Sequence, residues 1–227
     1  MSQVIALMGN KGAGKDTVAK YIKKYAKGFK KIYIMSFADS LKDATACIFG
    51  FDRKMLEGST PASRAWREQP LQYLSEVMNK TVTPRWLLQR IGTDILRKHL
   101  YDGIWVDSVV HKIIKLSLQE KNSLFVITDC RFKNEIKTLQ NLHKIYSNIK
   151  PVTFVEVDRK SRYSEIYNEA VTFNTTKNPF KKLAAWLVLR NIHRSEWDWI
   201  GVVKDPIIIY NIGSLKNLEN LTKTMVL

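Results

Sequence analysis

The chain has 227 residues, 45% of them apolar, which is enough for one sizeable core and little more than one domain. Its formal charge of +16 favours polyanionic partners without choosing among nucleic acid, anionic lipid and phosphorylated small molecules. Lysines scattered over helix-like segments, such as Lys20, Lys23, Lys24 and Lys27, fit a solvated surface equally well. No apolar run approaches the ~20 residues of a membrane span, and the run after Met1 lacks a signal-peptide pattern. Cys47 and Cys130 lie far apart with no second ligand nearby, which suggests neither a disulfide framework nor a zinc site. A reducing cytoplasm is the expected setting.

Val4–Met8 reads as the first strand, apolar without alternation, as strands buried on both faces of a parallel sheet are. Gly9-Asn10-Lys11-Gly12-Ala13-Gly14-Lys15 follows and fits G-x-x-x-x-G-K. Glycines let backbone N–H groups turn inward around phosphate oxygens, a helix N-terminus adds roughly half a positive charge, and Lys15 reaches the outer phosphates. Asp16 stands where many such loops have Ser or Thr, and Thr17 comes one place later. That spacing resembles the adenylate-kinase type of loop. Asp16 is a candidate magnesium ligand through water, or a first-turn acid favoured by the helix dipole. Val18, Tyr21, Ile22 and Tyr25 then recur at helical spacing, with lysines on the other face.

Ile32–Phe37 predicts the second strand, and a long connection, 38–122, follows it. Helix patterns there cover Ser40–Phe49, roughly Arg64–Met78, Arg85–Leu100 and Trp105–Glu120. In the third of them Thr83 is a good cap with Pro84 at the first helical position. Arg85, Gln89, Gly92 and Thr93 fall at i, i+4, i+7 and i+8, so they share one helix face, giving an arginine for a phosphate, a glutamine for a base edge and a glycine for close approach. Leu87, Leu88 and Ile91 face the core. Trp105 is either a base-stacking platform or a core residue.

Leu124–Thr128 predicts the third strand. It ends in Asp129, with Arg131 two residues on and Glu135 one helical turn further. In a parallel sheet Asp129 emerges at the carboxyl end beside the phosphate loop. Val152–Val157 and Ile207–Tyr210 predict the last two strands, separated by a connection, 158–204, with one clear helix around Pro179–Arg190. Strands alternating with helices imply right-handed crossovers and a three-layer α/β sheet of mostly parallel strands. Insertions of this size suit ligand-closing regions. His193 reads as a helix-end residue, and Arg159, Arg162, Arg190 and Arg194 are candidates to reach a nucleotide.

Together, "GKDT", "FADSLK", "QRIGTD…WVD", "DCRFKNE" and "HRSEWDW…IIIYNIGSL" resemble the bacteriophage-type deoxynucleoside monophosphate kinases, in the same order and over nearly the whole chain. The resemblance implies one P-loop kinase domain, a helical acceptor-binding insertion over 38–122 and a lid-like insertion over 158–204. It implies ATP and magnesium, a deoxynucleoside monophosphate acceptor and a viral or phage source. Gly9, Asn10, Lys11, Gly12, Ala13, Gly14, Lys15, Asp16 and Thr17 match the donor site, with Asp16 and Asp129 as the metal pair. Arg85, Gln89, Gly92, Thr93, Trp105 and Asp107 match the acceptor region. Lys15, Asp16, Asp129, Arg131 and Glu135 match the catalytic set, and Cys130 stands where such sequences often have an aliphatic residue. Neither a membrane nor a stable nucleic-acid partner is expected, and a homodimer stays open. The rival readings are a P-loop kinase for another small phosphorylated acceptor, such as phosphomevalonate or dephospho-coenzyme A, and a nucleic-acid-binding ATPase.

Overall fold

The apolar runs form β1 (Gln3–Met8), β2 (Lys31–Met35), β3 (Ser123–Ile127), β4 (Thr153–Asp158) and β5 (Ile207–Tyr210). They join in one parallel sheet in the order β2-β3-β1-β4-β5. Register follows the sequence pattern: Ile5 lies opposite Val126, and Leu7 opposite Val155. The computed structural model describes residues 1–160 and 164–226, so Arg162 lies outside the described residues. The chain divides into two compact units, Met1–Ser36 with Val110–Leu227, and Phe37–Val109.

In the first unit one sheet face carries Ile5, Leu7, Leu124, Val126, Val155, Val157 and Ile209 against α1 (Lys15–Tyr25) and α10 (Leu215–Val226). From α1 come Val18, Ala19 and Ile22; from α10 comes Leu218. The alternate residues Val4, Ala6, Met8, Phe125 and Ile127 are equally buried, so both faces are covered. On the second face α7 (Lys133–Ile145) and α8 (Glu165–Thr175) lie over β4, as shared cavities lined by His143 with Phe154 and by Tyr167 with Glu156 show. This is the three-layer P-loop architecture expected from the sequence. One expectation needs correction: only the central strands β1, β3 and β4 are buried throughout. The edge strands β2 and β5 expose Lys31, Ile34, Ile207 and Tyr210, because nothing pairs with their outer sides.

The second unit is helical: α2 (Asp39–Phe49), α3 (Pro61–Glu68), α4 (Gln72–Val77), α5 (Pro84–Gln89) and the start of α6 (Ile104–Gln119). The single helix expected over Arg64–Met78 is two helices. Pro70 cannot donate to a helical ladder, and the residue before it, Gln69, is extended. Thr60 caps α3 through a reciprocal pair with Ser63, and Thr83 caps α5 by accepting from the Trp86 N–H at 3.1 Å. After Gln89 the chain widens into π-type winding over Arg90–Leu100. The connection after β4 holds a second helix besides α9 (Pro179–Leu189). This is α8, which packs on α9 but buries only Tyr167 and Ala170, so its apolar stripe is too thin to read.

Ile22 is fully buried between the sheet and α10. Ile22→Ala is expected to lower unfolding free energy by about 2–5 kcal/mol in urea titrations, and Ile22→Val by about 0.5–1.5 kcal/mol. Equal, small losses would show that this interface is loosely packed.

Candidate phosphoryl-transfer site

Parallel strands bring their carboxyl ends to one edge. There the chain turns into the glycine loop after Met8 and presents Asp129 beyond β3, Asp158 at the end of β4 and Asn211 beyond β5. Gly9 has φ +140°, and a Cβ on it would stand 2.4 Å from the Val157 carbonyl oxygen, so only glycine lets the loop lie against β4. Gly14, at φ +104°, begins α1, and a Cβ there would meet the Asn211 amide at 2.6 Å. Asn211 ties the loop to the sheet: its side chain donates to the Ala13 carbonyl at 2.8 Å and its backbone N–H to the Asp158 carbonyl at 2.7 Å.

Lys15 is turned inward. Its ammonium donates to the carbonyls of Gly9 at 2.7 Å and Asn10 at 2.9 Å, and the residue is 6% exposed. Burial lowers its pKa to about 8, helped by the positive charge of Arg131, while Asp16, Asp129 and Glu196 oppose the shift. Those four charges therefore converge on the loop. Asp16 is exposed in the first turn of α1. Asp129 accepts from Ser36 Oγ at 2.7 Å. The backbone around it is pinned on both sides, Thr128 N–H donating to Met35 and Cys130 N–H to Leu7. The Cys130 thiol is fully buried. Desolvation, then the charges of Glu135 and Asp129, push its pKa well up, which leaves it a packing residue.

Glu135 corrects the sequence reading. It is 1% exposed, and its Oε2 accepts from the backbone N–H groups of Arg131 at 2.7 Å and Phe132 at 2.9 Å. Its carboxylate thus points into the turn, closing the start of α7 and fixing where Arg131 begins. Both of these bonds position the backbone from which Arg131 starts. The Arg131 guanidinium lies 3.5 Å from Glu196, whose other oxygen accepts from the Lys11 backbone N–H at 3.2 Å. Asp198, 3% exposed, accepts from the Lys133 N–H at 2.8 Å and pairs with Arg194 at 3.1 Å. His193 caps the short turn Arg194–Glu196, as its helix-end reading implied. Arg159 and Arg190 are exposed.

Within the helical unit the acceptor residues do not form the expected face. π-type winding from Arg90 changes the angle per residue, so Gly92 turns inward: a Cβ on it would lie 2.5 Å from the Leu41 side chain. Trp105 is 6% exposed and its indole N–H donates to the Gly92 carbonyl at 3.0 Å, which makes it a packing residue that secures this winding, not an open stacking face. Gln89 and Thr93 are exposed. Asp107 is exposed and accepts from the Tyr101 hydroxyl. Arg85 is ion-paired with Glu68, although its Nε is not aligned with the carboxylate as a hydrogen bond. Beside it lies Arg67, whose buried Nε has no partner; burial and then the charge of Arg85 lower its pKa. The carboxylates of Glu68 and Glu57 oppose that shift. Arg67, Asn211, Glu196 and Asp198 were absent from the sequence-derived set; the late "HRSEWDW…YNIGSL" stretch signalled the last three without saying which atoms they hold.

A glycine loop between β1 and α1, an inward lysine, an aspartate past β3 and an arginine beside it define a phosphotransferase of the P-loop kinase class. No family model matches the chain. A protein of Acanthamoeba polyphaga mimivirus, provisionally named a deoxynucleotide monophosphate kinase, is 30% identical over 151 residues, covering 61% of this chain and 69% of that protein. The chain belongs to this family, the deoxynucleotide monophosphate kinases. Among solved structures, a sugar kinase from a Janibacter species is 13% identical, covering 99% of this chain and 94% of that one at TM-score 0.40. A dephospho-CoA kinase from Campylobacter jejuni is 11% identical, covering 99% and 96% at TM-score 0.39. Likeness at that level bears on neither substrate nor mechanism.

The inward lysine has a pH signature. Below about pH 8 Lys15 is charged in both folded and unfolded chains, and its burial opposes folding in full. Between about pH 8 and the ordinary lysine value of 10.5 the unfolded chain holds more protons, so stability should rise with pH. A bound polyphosphate restores the charged form. Tripolyphosphate affinity, measured by calorimetry, should therefore hold up to about pH 8 and weaken above it, with proton uptake on binding in that range. Lys15→Met should abolish the uptake; uptake unchanged in that variant would place the titrating group elsewhere.

Proposed function

We propose that this chain transfers the γ-phosphoryl group of ATP to the phosphate of a deoxynucleoside monophosphate, giving the diphosphate. The observation that supports this best is the convergence of Lys15, Asp16, Asp129 and Arg131 on a loop fixed by Gly9, Gly14 and Asn211. The kinship to a protein named for that activity adds support. Gly9–Thr17 would cradle the triphosphate. The acceptor phosphate is an anion at neutral pH, so no general base is required, and catalysis becomes positioning with charge neutralisation. Lys15 leaves the loop carbonyls for the β- and γ-phosphate oxygens. Arg131 meets charge that spreads over the transferring group. Arg85, with Arg67 beside it, anchors the acceptor phosphate, and the exposed Gln89, Thr93 and Asp107 surround the nucleoside.

Among the described residues no group of three or more His, Cys, Asp or Glu forms a metal cage. Asp16 and Asp129 nevertheless fit magnesium, which takes one or two carboxylates and fills its shell with water and phosphate. Magnesium held there would neutralise charge on the transferring phosphate. The segment 158–204 is proposed as a lid that excludes water, with Arg159 and Arg190 free to approach the nucleotide, and 38–122 as the acceptor insertion. Since no helix among the described residues is long and apolar enough to cross a membrane, a cytoplasmic setting, the host's if the source is viral, is part of this reading. So is a role in deoxynucleotide biosynthesis.

The test is incubation with ATP, magnesium and each of the common ribo- and deoxyribonucleoside monophosphates, following ADP and the new diphosphate. Transfer confined to a different phosphorylated acceptor, or ATP hydrolysis stimulated only by nucleic acid, would overturn the reading. Two arginines should fail differently. Arg85→Ala should raise KM for the monophosphate with kcat little changed, whereas Arg131→Ala should lower kcat on the order of 10²–10³ with little change in affinity. Ordinary kinetics in both variants would make them surface ion-pair residues. Asp16→Asn should raise the magnesium concentration needed for half-maximal rate; an unchanged requirement would leave Asp16 a helix-end acid.

A further inference from the structure

Glu196 reaches the glycine loop with its carboxylate. One of its carboxylate oxygens accepts from the backbone N–H of Lys11, a donor of the glycine loop, at 3.2 Å. The other lies 3.5 Å from the Arg131 guanidinium and 3.4 Å from Ser195 Oγ. A planar anion with two oxygens bridging a loop N–H and a guanidinium presents the charge and the acceptor geometry of a terminal phosphate. Glu196 is held there by its neighbours: Asp198, two residues on, binds the first N–H of α7, and the Trp197 indole donates to the Ile192 carbonyl at 3.1 Å. We propose that Glu196 is a built-in phosphate surrogate, which competes for the outer-phosphate position of the loop and is displaced by the terminal phosphate of a nucleoside triphosphate.

This rests on the phosphate-loop part of the proposed function, and it adds a selectivity. Glu196 compensates Arg131 and the Lys11 N–H. A ligand must out-compete it at that point. A triphosphate meets the competition directly. A diphosphate, which ends one phosphate short, meets less of it, and a monophosphate none. Glu196 therefore compresses the affinity gap between ATP and ADP, which would ease exchange of product for substrate. Its side chain is 30% exposed, so displacement only moves the carboxylate further into water rather than burying it.

The experiment is calorimetric titration of wild type, Glu196→Gln and Glu196→Asp with tripolyphosphate, ATP, ADP and AMP, all metal-free. Removing the competing charge in Glu196→Gln should tighten tripolyphosphate and ATP by roughly threefold to tenfold, ADP less and AMP not at all. Glu196→Asp, which keeps the charge, should stay closer to wild type. Equal tightening of all three nucleotides would reduce Glu196 to a general contribution to local potential and overturn the proposal. Unchanged or weakened tripolyphosphate binding would overturn it too, making Glu196 a structural tether of Arg131. Thermal melts of the isosteric Gln variant guard against a folding defect. If wild type binds tripolyphosphate but not ATP, the nucleotide reading fails, while the tripolyphosphate series still decides the role of Glu196.

Discussion

Everything at this edge of the sheet depends on how closely the turn after β1 lies against the strand beside it. With the Val157 carbonyl oxygen 2.4 Å from where a Gly9 Cβ would sit, the backbone can enter this turn only without a side chain. That entry places the Gly9 and Asn10 carbonyls around the Lys15 ammonium. The lysine is thus satisfied by its own loop, which is what permits a charged group to be so nearly enclosed. The arrangement is poised, because the bonds that stabilise the ammonium are neutral carbonyl contacts, and a phosphate oxygen offers the same geometry with a full negative charge.

The charges near the loop balance although the chain as a whole does not. Lys15 and Arg131 face Asp16, Asp129 and Glu196, so this edge is close to neutral within a protein of formal charge +16. The surplus lies elsewhere, and part of it draws polyanions by long-range attraction. In the helical unit the design is the reverse. Arg67 and Arg85 lie near each other, with Glu68 paired to Arg85 and Glu57 also acting on Arg67. An anion arriving there relieves repulsion, whereas one arriving at the glycine loop must displace a competitor. The two phosphate positions would differ in how they select their ligands for that reason alone.

The sheet was legible because buried parallel strands leave a continuous apolar run, and each of the five starts or ends within two residues of the expected place. The glycine loop was legible because its chemistry is local: a few residues in a row specify it. Errors cluster where geometry is set by distant contacts. Arg85, Gln89, Gly92 and Thr93 shared a face only on the assumption of regular winding; π-type winding past Gln89, held by the Trp105 bond to Gly92, undoes the assumption. Glu135 looked catalytic because an acid near a strand end is ambiguous until its carboxylate is seen to cap a backbone turn. Arg67 could not be found from spacing, since what marks it is the closeness of Arg85, a contact between separate helices.

A pattern runs through the residues that sequence reasoning missed or misassigned. Glu135 holds the N–H groups of Arg131 and Phe132, Asp198 holds that of Lys133, and Asn211 holds a loop carbonyl while its own N–H binds β4. Each of the three holds backbone groups, and Asp198 also pairs with Arg194. The groups assigned to substrate, Lys15 and Arg131, sit on segments that these residues immobilise. A long cationic side chain loses conformational freedom when it orders on a ligand, and fixing the backbone from which it starts lowers that cost without restricting its reach. Under the proposed function, precision at a transferring phosphate would come from side chains that hold backbone, leaving Lys15 and Arg131 mobile enough to change partners between loop, surrogate and ligand.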